Sequence, residues 1–177
     1  MPDSSYFRYM AKFDLEVVAL DMNVINSKQI CPLVGCATAV CEEVLRARGR
    51  AAAALFADRA KRSTARNLVA FAHYSTDYLE AYIDAENDFP NALLAQLRAY
   101  APAARHPLHF FAGHRHNVDS NSSASIRPNV AWLSGGGGGH SCDGPSQGFV
   151  AAVVAADLSV SVHPVLVDTQ ECCYDNS

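Results

Sequence analysis

Asn67-Leu68-Val69-Ala70-Phe71-Ala72, running into His73-Tyr74-Ser75-Thr76-Asp77, is the stretch whose reading decides the fold. An apolar run this short, closed by a polar cluster, is a buried β-strand rather than a helix. The same arrangement occurs on either side of it. Leu15-Glu16-Val17-Val18-Ala19-Leu20 stops at Asp21-Met22-Asn23, and Pro107-Leu108-His109-Phe110-Phe111-Ala112 stops at Gly113-His114-Arg115-His116-Asn117. Between these strands the composition turns helical. Ala, Leu, Arg and Glu dominate from Thr38 to Arg62, with Gly49 as an internal weak point. A second helix is expected from Pro90 to Ala101, with Asp88 as N-cap candidate and Pro90 near the first turn. Short buried strands alternating with helices predict a layered α/β domain.

Beyond the third strand come a Ser/Asn-rich stretch (Ser120 to Ser125), the segment Asn129 to Leu133 and a glycine run, Gly135 to Gly139. Two further apolar runs, Phe149 to Ala155 and Val160 to Val167, flank Ala156-Asp157-Leu158-Ser159 and read as a β-hairpin. No internal repeat or linker divides the chain, so residues 1–177 read as one unit.

Half of the 177 residues are hydrophobic and 18% are charged, enough to bury a substantial core. A net charge of −4 argues against an electrostatic nucleic-acid or membrane-surface binder. The densest cationic stretches, Arg46 to Arg50 and Arg59 to Arg66, read as the solvated side of a helix. No apolar run is long enough to span a bilayer, and Met1 to Tyr6 contains no signal-peptide h-region. The six cysteines nevertheless suggest an oxidising compartment and a secreted parent protein; where this chain itself resides stays open. Cys31, Cys36 and Cys41 cluster in one region, Cys142, Cys172 and Cys173 lie further on, and none forms a Cys-x-x-Cys pair. A zinc knuckle therefore fits poorly, disulfides fit better, and their connectivity is not readable.

In open α/β sheets, ligand-binding groups gather beyond the carboxyl ends of the strands. His73 occupies such a position, and so do His114 and His116, whose spacing lets both imidazoles project to one side. Gly113 before them supplies backbone freedom. Neutral imidazole suits zinc, iron and related metals. Asp21 and Asn23 are expected to hydrogen-bond the loops, His106 and His109 to be structural, and His163 to have no partner. The glycine run lacks the Gly-Lys-Ser/Thr of a phosphate loop and reads as a strand connection.

Taken in order, Leu20-Asp21-Met22-Asn23, Ala72-His73-Tyr74-Ser75, Gly113-His114-Arg115-His116-Asn117 and Ser134-Gly135-Gly136-Gly137 resemble the C-terminal portion of the calcineurin-like metallophosphoesterases. The resemblance is closest to the purple (tartrate-resistant) acid phosphatase branch and covers about Tyr6 to Asp168. It implies a layered β-sandwich with flanking helices, incomplete in this chain, and phosphate-ester hydrolysis. It also implies two transition-metal ions (Fe, Zn or Mn), with His73 and His114 as ligands of one and His116 of the other. Ser75 stands where the family usually has Pro.

The family's Asp-x-His, Gly-Asp and Gly-Asn-His motifs, which supply bridging carboxylates and a catalytic His, are not found. No catalytic residue can therefore be assigned. The resemblance implies that strands are missing before Leu15 and that the sheet edge there is open. The alternative is a non-catalytic or partner-binding remnant of such an enzyme.

Overall fold

The computed structural model describes residues 4–35, 37–82, 88–103, 107–114, 118–119, 130–134 and 148–166. They form a mixed α/β fold. Four strands run parallel: β2 (Leu15–Leu20), β3 (Asn67–Ala72), β4 (Leu108–Ala112) and β6 (Val130–Ser134). Two antiparallel strands close the edges, β1 (Tyr6–Met10) beside β2 and β5 (Val118–Asp119) beside β6. A separate hairpin pairs β7 (Gly148–Val154) with β8 (Val160–Leu166).

The helices are α1 (Ser27–Leu33), α2 (Thr38–Arg62), α3 (Thr76–Ala81) and α4 (Phe89–Ala103). α2 carries the crossover from β2 to β3, and α4 the crossover from β3 to β4. Each new strand is added on the same side of the previous one, so crossovers of one hand place both helices on one face. There Val18, Leu68, Ala70, Leu108 and Phe110 of the strands meet Phe56 of α2 and Leu93 and Leu97 of α4, all essentially buried. On the opposite face Leu15, Val69 and Phe111 pack against Val150, Val154 and Val162 of the hairpin. Alternation along a strand explains the division: Leu68 and Ala70 point to the helices, Val69 to the hairpin. Asn67 fastens the hairpin turn to β3 by donating from Nδ2 to the Leu158 carbonyl at 2.7 Å.

Three expectations need correction. The edge at Leu15–Leu20 is not open: Tyr6–Met10 pairs along it from Tyr6↔Ala19 to Met10↔Leu15. Gly49 is no weak point. It is where α2 and α4 touch, and a Cβ there would collide with the Phe89 ring. Arg59 is not on a solvated face. Its guanidinium donates to both oxygens of the buried Glu16 of β2, at 2.6 and 3.0 Å, beneath the Phe7 ring of β1. A fork-shaped pair of this kind orients α2 and β1 on the sheet together.

Cys31 and Cys41 form a disulfide that ties α1 to the first turn of α2, with Cα atoms 5.6 Å apart. Cys36, Cys142, Cys172 and Cys173 lie outside the described residues. Among the described residues, no helix is long and apolar enough to cross a membrane.

Candidate functional site

Because β3 and β4 are parallel and in register through Ala72↔Ala112, their carboxyl ends lie side by side. The next residues are His73 and Gly113, joined when the Gly113 N–H donates to the His73 carbonyl at 2.9 Å. That bond extends the ladder one step past the strands. His114 then adopts the left-handed conformation, φ 71°. The sequence assigned the special backbone to Gly113, whereas it is His114 that takes the positive φ. The conformation costs a residue with a Cβ about 1–2 kcal/mol, and such strain persists where the surroundings over-determine it.

The turn swings the His114 ring back over His73. His114 Nδ1 and His73 Nε2 are 3.2 Å apart, one ring donating and the other accepting, with ring planes at 73°. The separation is chemically informative. Two imidazole nitrogens ~2.0–2.1 Å from one tetrahedral ion would stand ~3.3–3.4 Å from each other. The 3.2 Å separation is close to that spacing, but one of the two nitrogens carries the proton of the hydrogen bond, so both could ligate one ion only after that proton is lost and the rings reorient. Imidazole nitrogen is a donor type that suits transition metals. Among the described residues, no third His, Cys, Asp or Glu joins them. His116, the ligand expected for a second metal, lies outside the described residues, as do His106, His140 and the glycine run.

Asp21 follows β2, whose last residue Leu20 is in register with Ala72, so it belongs to the same row of strand ends. Its carboxylate is engaged locally: Oδ1 accepts from the Asn23 backbone N–H at 3.1 Å and the Asn23 side-chain amide at 2.9 Å. Arg48 lies 3.8 Å from the other oxygen. His163 has a partner after all, Ser161 Oγ at 2.9 Å. His109, half-buried on the hairpin side of β4, has both ring nitrogens shielded from solvent with no hydrogen-bond partner among the described residues. Burial pushes its pKa below the usual imidazole range.

Aromatic rings flank one side of the histidine pair, and the contact between the two histidines is itself exposed. Tyr74 is 2% exposed and packs edge-on to His73, at 4.8 Å between centroids, and against His114 at the same distance. Tyr78 meets His114 nearly perpendicularly at 4.7 Å. Burial raises the Tyr74 phenol above its ordinary pKa, against the opposing effect of a hydrogen bond with Asn26, so it stays protonated at neutral pH. Ser75 is buried at the start of α3, and its hydroxyl hydrogen-bonds the Asp77 carboxylate. From this cluster a cleft of about 600 Å³ opens between α3 and residues 25–29.

Sequence reasoning passed over Tyr78, Tyr82 and the wall formed by residues 25–29. A signal for the tyrosines existed: Tyr74, Tyr78 and Tyr82 are spaced as neighbours on one helical face. The opposite wall gives no such signal, because α1 is brought to the cleft by tertiary packing. No family model, characterised protein or solved structure matches this chain.

Proposed function

We propose that this chain carries the imidazole portion of a metal-dependent phosphate-ester hydrolase site. His73 and His114 hold one transition-metal ion, and His116 serves a second, as the motif order suggests. The observation that carries the reading is the 3.2 Å separation of two ring nitrogens at the carboxyl ends of adjacent parallel strands. The layering expected of a metallophosphoesterase belongs to the same proposal. The described residues show only the coarser arrangement, a mixed sheet with helices on one face and a hairpin on the other.

His73 and His114 would hold the ion, which would supply Lewis acidity when bound. The protein's own residues supply placement. The β3–β4 ladder fixes the two histidine backbones, and the left-handed turn at His114 aims one ring at the other. Tyr74 and Tyr78 restrict rotation of the His114 ring and shield that side from water. A dinuclear centre also needs carboxylate donors, which the resemblance assigns to motifs this sequence does not contain.

Calorimetric titration of the chain with Zn²⁺ and Mn²⁺, alongside hydrolysis of 4-nitrophenyl phosphate, tests the reading. Binding is expected to weaken about 100-fold or more in His73→Ala and in His114→Ala, comparable to the loss from damaging a metal-site shell. Equal binding by wild type and both variants would remove the metal site. A second reading, a metal-free structural contact in a non-catalytic remnant, is favoured by one feature: the two rings already satisfy each other. It predicts a folded chain that neither binds metal nor releases phosphate.

A further inference from the structure

The cleft beside the histidine pair has two chemically different walls. One carries the rings of Tyr78 and Tyr82, one helical turn apart, with Tyr82 braced against Phe89 at 6.4 Å. The other carries Asn26, Ser27, Lys28 and Gln29. α1, which presents Ser27 to Gln29, is covalently tied to α2 through Cys31–Cys41, so that wall is held in place. Lys28 is exposed and has no ion pair among the described residues, whereas Arg46, which also lines the cleft, is held by Glu42 at 3.0 Å. His114 lines the cleft too.

A volume of about 600 Å³ is far larger than a phosphate ion needs. It falls within the ~300–1,000 Å³ range of pockets that take whole small molecules. Aromatic rings on one side, amides and a hydroxyl on the other and a cation at the surface match a planar aromatic group with a polar edge that also bears an anion.

We propose that the cleft selects phosphate esters of nucleotide size with a planar aromatic group. The aromatic ring lies along Tyr78 and Tyr82, the phosphate faces His114, and Lys28 supplies charge attraction. This assignment rests on the phosphate-ester reading of the histidine pair, which it extends from the reacting group to the rest of the substrate.

The test uses the whole chain with chelator present, so that ligand binding is measured without turnover. Calorimetry compares adenosine 5′-monophosphate with ribose 5-phosphate, which differ only in the base. The nucleotide is expected to bind about tenfold more tightly, the upper end of what one favourable aromatic pair contributes. Tyr78→Ala with Tyr82→Ala should bring the two ligands to equal affinity, while Tyr78→Phe keeps the preference. Lys28→Ala should weaken both ligands by the same factor.

Circular dichroism of each variant separates loss of the cleft from loss of the fold, and Tyr78→Phe carries the test if the double variant unfolds. Equal binding of the two ligands by wild type, or no binding of either, overturns the proposal. Turnover of 4-nitrophenyl phosphate with metal, combined with equal binding, would sink the cleft assignment alone. A base preference without metal binding that depends on His73 and His114 would uphold the cleft and sink the metal-site reading.

Discussion

Phe110 and Phe111 are adjacent in β4 and lie on opposite faces of the sheet, 1% and 6% exposed respectively. Phe110 belongs to a large cluster in which α2 and α4 cover three parallel strands. Phe111 stacks at 5.4 Å on Phe71, itself 43% exposed, and belongs to a small cluster under the hairpin. One face is a continuous dry core. Among the described residues the other has a thinner cover, with Phe149 and Val153 of the hairpin half exposed. Among the described residues, the strands that end at His73 and His114 make most of their buried contacts on the helix side.

The sharpest way to break this contrast is to truncate each ring. Phe110→Ala should cost about 4–5 kcal/mol and Phe111→Ala about 2–3 kcal/mol, because the thin face can collapse or admit water. Equal shifts in urea midpoint would mean that the hairpin packs as tightly as the helices. Next in size is the staple on the helix side. Replacing Cys31 and Cys41 together by Ser should cost about 3 kcal/mol for a loop this short. An unchanged melting temperature under oxidising conditions would show that the bond contributes nothing to the fold.

Gly49→Ala reverses an ordinary rule. Helix propensity alone would make it stabilising by about 1 kcal/mol. Because the added methyl meets the Phe89 ring, we expect a net loss of about 1–3 kcal/mol by chemical denaturation. A gain in stability would show that α4 can move away freely.

The smallest effect probes the thin face through His109. Its folded pKa lies below its ordinary value because of burial. The unfolded chain therefore takes up the proton first on acidification. The stability tied to the neutral ring is complete above its ordinary value of about 6.5 and is lost as pH falls through the folded value. His109→Leu should remove that acid sensitivity and leave the neutral-pH midpoint equal or slightly higher, since no hydrogen bond is sacrificed. Urea midpoints at about pH 7.5 and about pH 5 measure it, and an identical slope in both proteins would assign the sensitivity to other groups.

What could be read in advance followed burial. The strands Leu15–Leu20 and Asn67–Ala72 and the helix Thr38–Arg62 have the bounds their sequences suggest, because each carries a strong compositional pattern. Tyr6–Met10 escaped notice because nearly all of it is exposed, and an edge strand exists only through its partner's ladder. α1 and α3 escaped because each spans at most 7 residues, too short for periodicity to show.

His73 and His114 were legible as candidates from their place after buried strands. Their meeting at 3.2 Å was not, because it depends on parallel register and on a left-handed turn that no propensity assigns to histidine over its glycine neighbour. By itself, then, the sequence determined the order of the central elements and which residue types close each strand, since burial and composition act locally. The tertiary structure alone decided the role of Gly49, the Glu16–Arg59 pair, the histidine contact and the tyrosine cleft. Each of these joins residues distant in the chain, and only packing the helices onto the sheet brings them within reach.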